Sequence, residues 1–463
     1  MKKRIISCIL ALIAVSSIMM SGCTSKNQAS SDTVRISIGN WPTQEDQTGL
    51  ERMEYFVGEM KKKYPNIEIV PDTWAYKADT FIPKAASKQL PTVYNTFFTE
   101  IDKIVDAGYA ADITEYMDKY KYSNAINNDI RDILKKDEKF YAIPQSAYSL
   151  GLMVNMNLFK QAGLLNDDGT AKIPQTYEEI LETSKIIKEK TGKAGFILPT
   201  TGNMGGWLST QIAWSFGTEF MAKEGEKWVA KFDSPEFRNF LQYIRDMRWK
   251  DNVMFEKGLI DYSEMIQLFS TNQAAMTINS TGYMPTVLVE QYGMSKDAIS
   301  IGAAPAGPKG RYSLIGGDVS MIAPNATPEQ IDAAFKWFEV TGASPVVTTE
   351  AVAAMEKRYE LDAAKGLMVG IEGLNIWDKT SEVAKSQANV LEKYKNVNTE
   401  LFKDYINMDG STMRVEEPIK SQELYKIIDN CLQAVISDEN ASIDEVVKKA
   451  ADNFQKNYLN DAQ

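Results

Sequence analysis

The stretch Val34–Val70, VRISIGNWPTQEDQTGLERMEYFVGEMKKKYPNIEIV, decides the fold. Val34 to Ile38 alternate apolar and polar side chains, the period of a half-buried strand, and Gly39-Asn40-Trp41-Pro42 breaks the run. Leu50, Met53, Phe56, Val57 and Met60 then recur at helical spacing. Lys61, Lys62 and Lys63 follow, cations suited to the negative end of a helix. Ile67 to Val70 reads as a second strand. A strand, a helix and a strand within about 40 residues predict a βαβ unit with a parallel pair, hence an α/β fold.

Upstream of this unit stands MKKRIISCILALIAVSSIMMSGC. Lys2, Lys3 and Arg4 form a positive start, Ile5 to Met20 an apolar core, and Ser21-Gly22 leads into Cys23. That order predicts a secretion signal over 1–22 and diacylglyceryl attachment at the Cys23 thiol. Residues 23–32 then form a polar tether. Downstream, a third strand is expected over Thr92 to Phe97 and a long extended run over Tyr141 to Val154, broken by Pro144. Thr176 with Glu179, Ser234-Pro235, Thr327-Pro328 with Gln330, and Ser442 with Glu445 are four helix starts.

Composition narrows the chemistry. The 51 Lys and Arg fall to 48 once Lys2, Lys3 and Arg4 are removed, against 62 Asp and Glu, a net charge of −14. Such a chain disfavours nucleic acid as a partner. Histidine is absent, so imidazole-based nucleophile activation and histidine-containing zinc sites are excluded. Beyond Cys8 and Cys23 only Cys431 remains, so the mature body has no intrachain disulfide. About 440 residues are too many for one core and predict two domains.

The order of segments resembles the extracytoplasmic solute-binding proteins of ABC importers, in particular the maltodextrin-binding-like carbohydrate group. Tyr64-Pro65-Asn66-Ile67, Leu90-Pro91-Thr92-Val93 and Gly108-Tyr109-Ala110-Ala111-Asp112 carry the likeness early. Gly151-Leu152-Met153-Val154-Asn155 with Ala162-Gly163-Leu164, Pro174-Gln175-Thr176-Tyr177, Gln273-Ala274-Ala275-Met276 and IGAAPAGPKG over 301–310 continue it. Leu90 stands where that family has an acidic residue. The resemblance implies two α/β lobes joined by about three crossovers, with a ligand cleft between them. Lobe one would hold 33–146 plus 309–345, and lobe two 147–305 plus 346–463.

A sugar site needs flat aromatic faces for ring C–H surfaces and planar polar side chains for hydroxyls. Trp41 lies in the first strand-to-helix loop, at the end of the sheet where open α/β folds bind ligands. Its alternative role is packing beneath that loop. Trp74 follows the second strand similarly, and Phe98 and Glu100 fall in the family's cleft-lining loop. The resemblance places Gln145 and Tyr148 in the first crossover, and Asn203 and Trp207 in a polar loop of lobe two. Tyr283 takes the place of a family cleft tryptophan. Asp318 is polar inside an apolar strand, and Trp377 and Tyr405 are cleft candidates in the C-terminal third. Trp214, Trp228, Trp249 and Trp337 are assigned to packing.

The implied function is a lipid-anchored, monomeric receptor on the extracytoplasmic face of the cell membrane. It would capture a mono- or oligosaccharide and hand it to the transmembrane subunits of an ABC permease, without catalysis, metal or cofactor. The alternatives are a receptor of the same fold for a polyamine, peptide or glycerol phosphate, and an exported glycosidase with paired carboxylates.

Overall fold

The computed structural model describes residues 33–460, apart from 78–79, 372 and 408–409. The secretion signal, the Cys23 lipidation site and the tether therefore lie outside the described residues.

The opening unit forms a parallel pair. Val34–Ile38 runs beside Ile67–Pro71 in register from Val34↔Ile67 to Ile38↔Pro71. The helix between them, Gln47–Lys63, starts where the Asp46 carboxylate accepts the Gly49 amide and ends in the three lysines. It buries Phe56 and Met60 against the sheet's Ile36 and Ile38. Val93–Phe97 extends the sheet on the other side, touching the first strand only at Ile38↔Val93.

The long strand Gly310–Ile322 completes this sheet, pairing antiparallel with Val93–Phe97 and with Ala142–Ser149. Thr412–Val415 joins its near end in parallel register, Tyr312↔Thr412 to Ile315↔Val415. A second sheet has the order Ile299–Gly302, Gly151–Asn155, Ala274–Asn279, Ala194–Phe196. Each sheet anchors its own apolar core.

The extended run 141–154 is two strands in two sheets. Ala142–Ser149 belongs to the first and Gly151–Asn155 to the second, with Leu150 at the switch. The Leu150 amide donates to the Leu314 carbonyl at 3.0 Å, and the Ser313 hydroxyl donates to the Leu150 carbonyl at 2.8 Å. The outgoing and returning crossovers are thus laced together. A Cβ on Gly151 would run into the Gly302 carbonyl, so this switch needs glycine.

The C-terminal third corrects the expected lobe boundary at 346. Helix Thr349–Ala364 packs on Gln47–Lys63 and Pro328–Val340, and Arg52 pairs with Asp362 at 2.8 Å. Trp377, Val383 and Ala384 also lie in the first core. Leu401, Phe402 and Tyr405 then enter the second core, Thr412–Val415 returns to the first sheet, and Ser421–Ser437 goes back to the second core. The chain therefore crosses between the cores more often than the expected three times. The apolar face Ala351, Ala354, Met355, Tyr359 marks a buried helix face but does not specify which core covers it.

The helix starts follow from their caps. Thr176, Ser234, Thr327 and Ser442 each accept the expected backbone amide, and Thr327 with Gln330 closes a full capping box. Glu179 instead reaches one residue further back and accepts the Gln175 amide at 2.6 Å. No helix among the described residues is long and apolar enough to cross a membrane.

Candidate functional site

The ends of the first sheet's strands bring one group of side chains together. The Asn40 amide donates to the Trp74 carbonyl at 2.7 Å and the Trp41 amide to the Asp72 carbonyl at 2.9 Å, which fixes the two loops to each other. Trp41 does not present both faces to solvent. Its ring stacks on Trp337 at 6.3 Å and 27°, and Trp337 is only 4% exposed. Trp74 is half-buried beside Phe81, with the Lys84 ammonium 5.1 Å from its ring centroid. Tyr76, two residues on, sets its ring edge against Phe97 and donates its hydroxyl to the buried Glu100 carboxylate. Lys103 holds the same carboxylate at 3.2 Å. Burial and Glu100 together push the Tyr76 phenol far above its ordinary pKa.

The strand ends at Phe97, and Phe98 opens the 3-10 turn Phe98–Glu100 that follows it. Phe97 is 45% exposed, whereas Phe98 is 7% exposed and fills the space over Gly317. The sequence singled out Phe98; the structure spends it in the core and leaves Phe97 on the open side. Asp318 stands opposite Phe97 and Ser146, and the Ser146 hydroxyl donates to its carboxylate at 2.7 Å. No ion pair reaches Asp318 among the described residues, and burial raises its pKa. The ladder shifts register there, so Gln145 is left unpaired between Pro144 and Ser146. Its amide nitrogen is closed off from solvent and meets no protein acceptor.

An aromatic run leads from the first sheet into the second lobe. Tyr148 meets Trp207 edge-to-face at 5.9 Å, Trp207 meets Tyr262 at 6.4 Å, and Tyr262 stacks with Tyr283 at 6.1 Å. Tyr283 is 63% exposed and forms the outer end of the run. The Tyr262 hydroxyl donates to the Asn279 side-chain oxygen at 3.1 Å. The Asn279 amide nitrogen and the Thr281 hydroxyl are enclosed without a protein partner. Tyr148 is pushed well above the ordinary phenol range by burial, with Glu416 and Asp318 adding repulsion to its ionised form.

Asn203 has an anchoring place. It adopts a left-handed backbone (φ 70°), and its amide donates to Asp429 at 2.7 Å while its side chain donates to Gln422 at 3.3 Å. Gly206 donates to the other Asp429 oxygen at 2.7 Å, so one buried carboxylate pins the loop to helix Ser421–Ser437. From that helix the Tyr425 hydroxyl donates to Glu416 at 2.6 Å. Burial raises the Glu416 carboxyl to about 7; the Tyr425 bond opposes the rise and Glu100 adds to it. Trp377 is 1% exposed beside Tyr122 and belongs to the first core, a correction to its expected cleft position. Tyr405 is likewise buried, its hydroxyl donating to the Ser149 carbonyl at 2.7 Å.

Tyr148 and Trp207 are in ring contact between the two cores, Asp318 and Gln145 lie on the paired strands that carry Tyr148, and Glu100 bonds Tyr76. Trp41, Phe98, Asn203 and Trp377 are engaged elsewhere. Sequence reasoning passed over Tyr76, Phe97, Tyr262 and Glu416. Tyr76 and Phe97 carried a signal, since both stand at strand ends beside Trp74 and Phe98. Glu416 carried none.

The pattern of the bacterial extracellular solute-binding protein family matches residues 45–341, more than half of the chain. The chain belongs to that family. A multiple sugar-binding protein of Streptococcus mutans is 22% identical over 377 residues, 78% of this chain and 82% of the relative. Among solved structures, maltose-bound MalE3 of T. maritima superposes with a TM-score of 0.66 at 17% identity, over 91% of this chain and 99% of that one. UgpB of Mycobacterium tuberculosis in complex with glycerophosphocholine also reaches 0.66, at 12% identity over 91% and 97% of the two chains. These structures agree with a two-lobed fold.

Proposed function

We propose that this solute-binding protein captures a mono- or oligosaccharide between its lobes and delivers it to an ABC permease. The observation that carries this is the run Tyr148–Trp207–Tyr262, with Asp318 and Gln145 on the paired strands that carry Tyr148. Aromatic edges and faces suit sugar C–H surfaces, and carboxylates and amides suit hydroxyls. The names of the streptococcal relative and the maltose-bound neighbour support the same solute class. Cys23 anchors the protein by its lipid at the extracytoplasmic face, the receptor works as a monomer, and it turns over no substrate. The lobes are 33–149 with 315–394, and 150–314 with 395–460, with Thr412–Val415 returned to lobe one.

Asp318 favours one second reading, an amine-bearing solute, because its carboxylate has no cation beside it among the described residues. Anionic solutes such as glycerol phosphates lack an arginine fork at this place. A thermal-shift screen with maltose, maltotriose, mannobiose, tagatose, spermidine and glycerol phosphate separates these readings. A solute that binds only the folded chain raises the melting temperature by mass action. A rise of several degrees with a saccharide is expected, and a rise with spermidine alone would replace the saccharide reading.

A further inference from the structure

We infer that Glu416 is a solute-contacting residue, its open carboxylate oxygen accepting a hydroxyl of the saccharide from within the last crossover between the lobes. The inference rests on the saccharide reading and adds a residue and a coupling to it. Thr412–Val415 is a strand of the first sheet, and Ser421–Ser437 packs Leu424 and Ile428 into the second core. Residues 416–420 are therefore all that joins them, and Glu416 is the first of these.

Its surroundings point to a missing donor. One carboxylate oxygen accepts the Tyr425 hydroxyl at 2.6 Å, and no donor among the described residues reaches the other. No cation among the described residues forms an ion pair with it, and Lys420, four residues on in the same crossover, forms none there either. Arg414 is held by Glu417 at 3.0 Å, and Lys103 is held by Glu100 at 3.2 Å. Lys135 lines, with Asp102, Asp132 and Glu416, a cavity of about 190 Å³ but bonds elsewhere, toward Glu138 at 3.9 Å. Glu100 from the first lobe lies close enough to raise the Glu416 pKa, and Glu416 and Asp318 both lie close enough to raise that of Tyr148. A half-buried carboxylate with one hydrogen bond and an anion opposite is poorly stabilised, and a hydroxyl donor relieves it.

The next residue supplies the contrast. Glu417 is buried too, but the Trp214 indole and Arg414 both donate to it at 3.0 Å. Glu417 is held by two donors, whereas Glu416 has one and keeps its other oxygen open. A solute that bonds Glu416 while stacking on Trp207 would tie the crossover to the second lobe and favour the closed arrangement.

The test is isothermal titration of the full chain with maltose, maltotriose, mannobiose, mannotriose and tagatose at pH 5.5, 7.0 and 8.5. Wild type, Glu416→Gln and Glu416→Ala are compared, with folding checked by circular dichroism. A carboxylate accepts a hydroxyl more strongly than the protonated acid does, so wild-type affinity should rise from pH 5.5 to 8.5. Glu416→Ala should bind at least tenfold more weakly at pH 8.5, and Glu416→Gln should retain an intermediate affinity with a flattened pH profile. Variants that bind within twofold of wild type with its pH profile would overturn the inference while leaving the saccharide reading intact. If Glu416→Ala does not fold, the Glu416→Gln profile alone decides. A wild type that binds none of the five sugars removes the saccharide reading, and the inference with it.

Discussion

Trp41 shows what a loop residue conceals in a sequence. Position after the first strand made it the natural stacking surface, yet which way a loop side chain turns depends on tertiary neighbours. Here the neighbour is Trp337, 6.3 Å away across a stacked ring pair. Trp41→Ala should therefore lower stability by about 1–3 kcal/mol, the loss of a partly buried aromatic and its ring partner. Saccharide affinity should stay near that of wild type. Melting curves and titrations on that one variant check both halves, and lost affinity with unchanged melting would return Trp41 to the site. Glu416 gives a second expectation at this scale. Its folded carboxyl titrates at about 7, above its ordinary 4.5. A raised carboxyl means the folded state holds the proton more tightly. Its stabilising contribution is complete below pH ~4.5 and disappears as pH rises to about 7. Glu416→Gln should match wild type in stability near pH 4.5 and exceed it by at most about 3 kcal/mol above pH 7. Denaturant unfolding at several pH values checks this, and a constant difference between the two proteins would contradict it.

Elements were legible where a local pattern decides them. The opening strand, helix and strand follow from periods of two and 3.6, and the caps at Thr176, Ser234, Thr327 and Ser442 follow from single side chains. The run 141–154 was legible as extended but not as two strands, because apolar residues read alike whichever sheet they join. The switch at Leu150 is set by Leu314 and Ser313, more than 160 residues away. The return of Thr412–Val415 to the first sheet is equally non-local. Helix Met204–Phe216 exposes a further sequence-dependent contact. A Cβ on Gly206 would run into the backbone of Tyr425, so the two helices approach as only glycine permits. Gly206→Val should destabilise the chain by about 2 kcal/mol or more and displace the start of the helix that carries Trp207. Thermal unfolding checks the first effect and titration the second; a variant as stable as wild type would show that the helices can separate freely.

Across the whole molecule, the two sheets and their cores place the candidate side chains by contacts that no single segment encodes. The resemblance in segment order predicted the two lobes, and family membership and the solved structures agree with it. It offered Tyr148 and Trp207, which are in ring contact, alongside Trp377, whose burial depends on Tyr122 and Ile126. A receptor of this form should contract when it captures its solute. Small-angle scattering should show a smaller radius of gyration with a saccharide that raises the melting temperature, and an unchanged radius would count against closure. The central claim is that the Tyr148–Trp207–Tyr262 run holds the saccharide. Calorimetric titration of wild type and Trp207→Ala with the best saccharide of the thermal-shift screen tests it most directly. The account predicts that Trp207→Ala binds about 10–100-fold more weakly, the loss of an anchoring aromatic, while its melting temperature stays within a few degrees of wild type. A Trp207→Ala protein that binds the saccharide as tightly as wild type would contradict it.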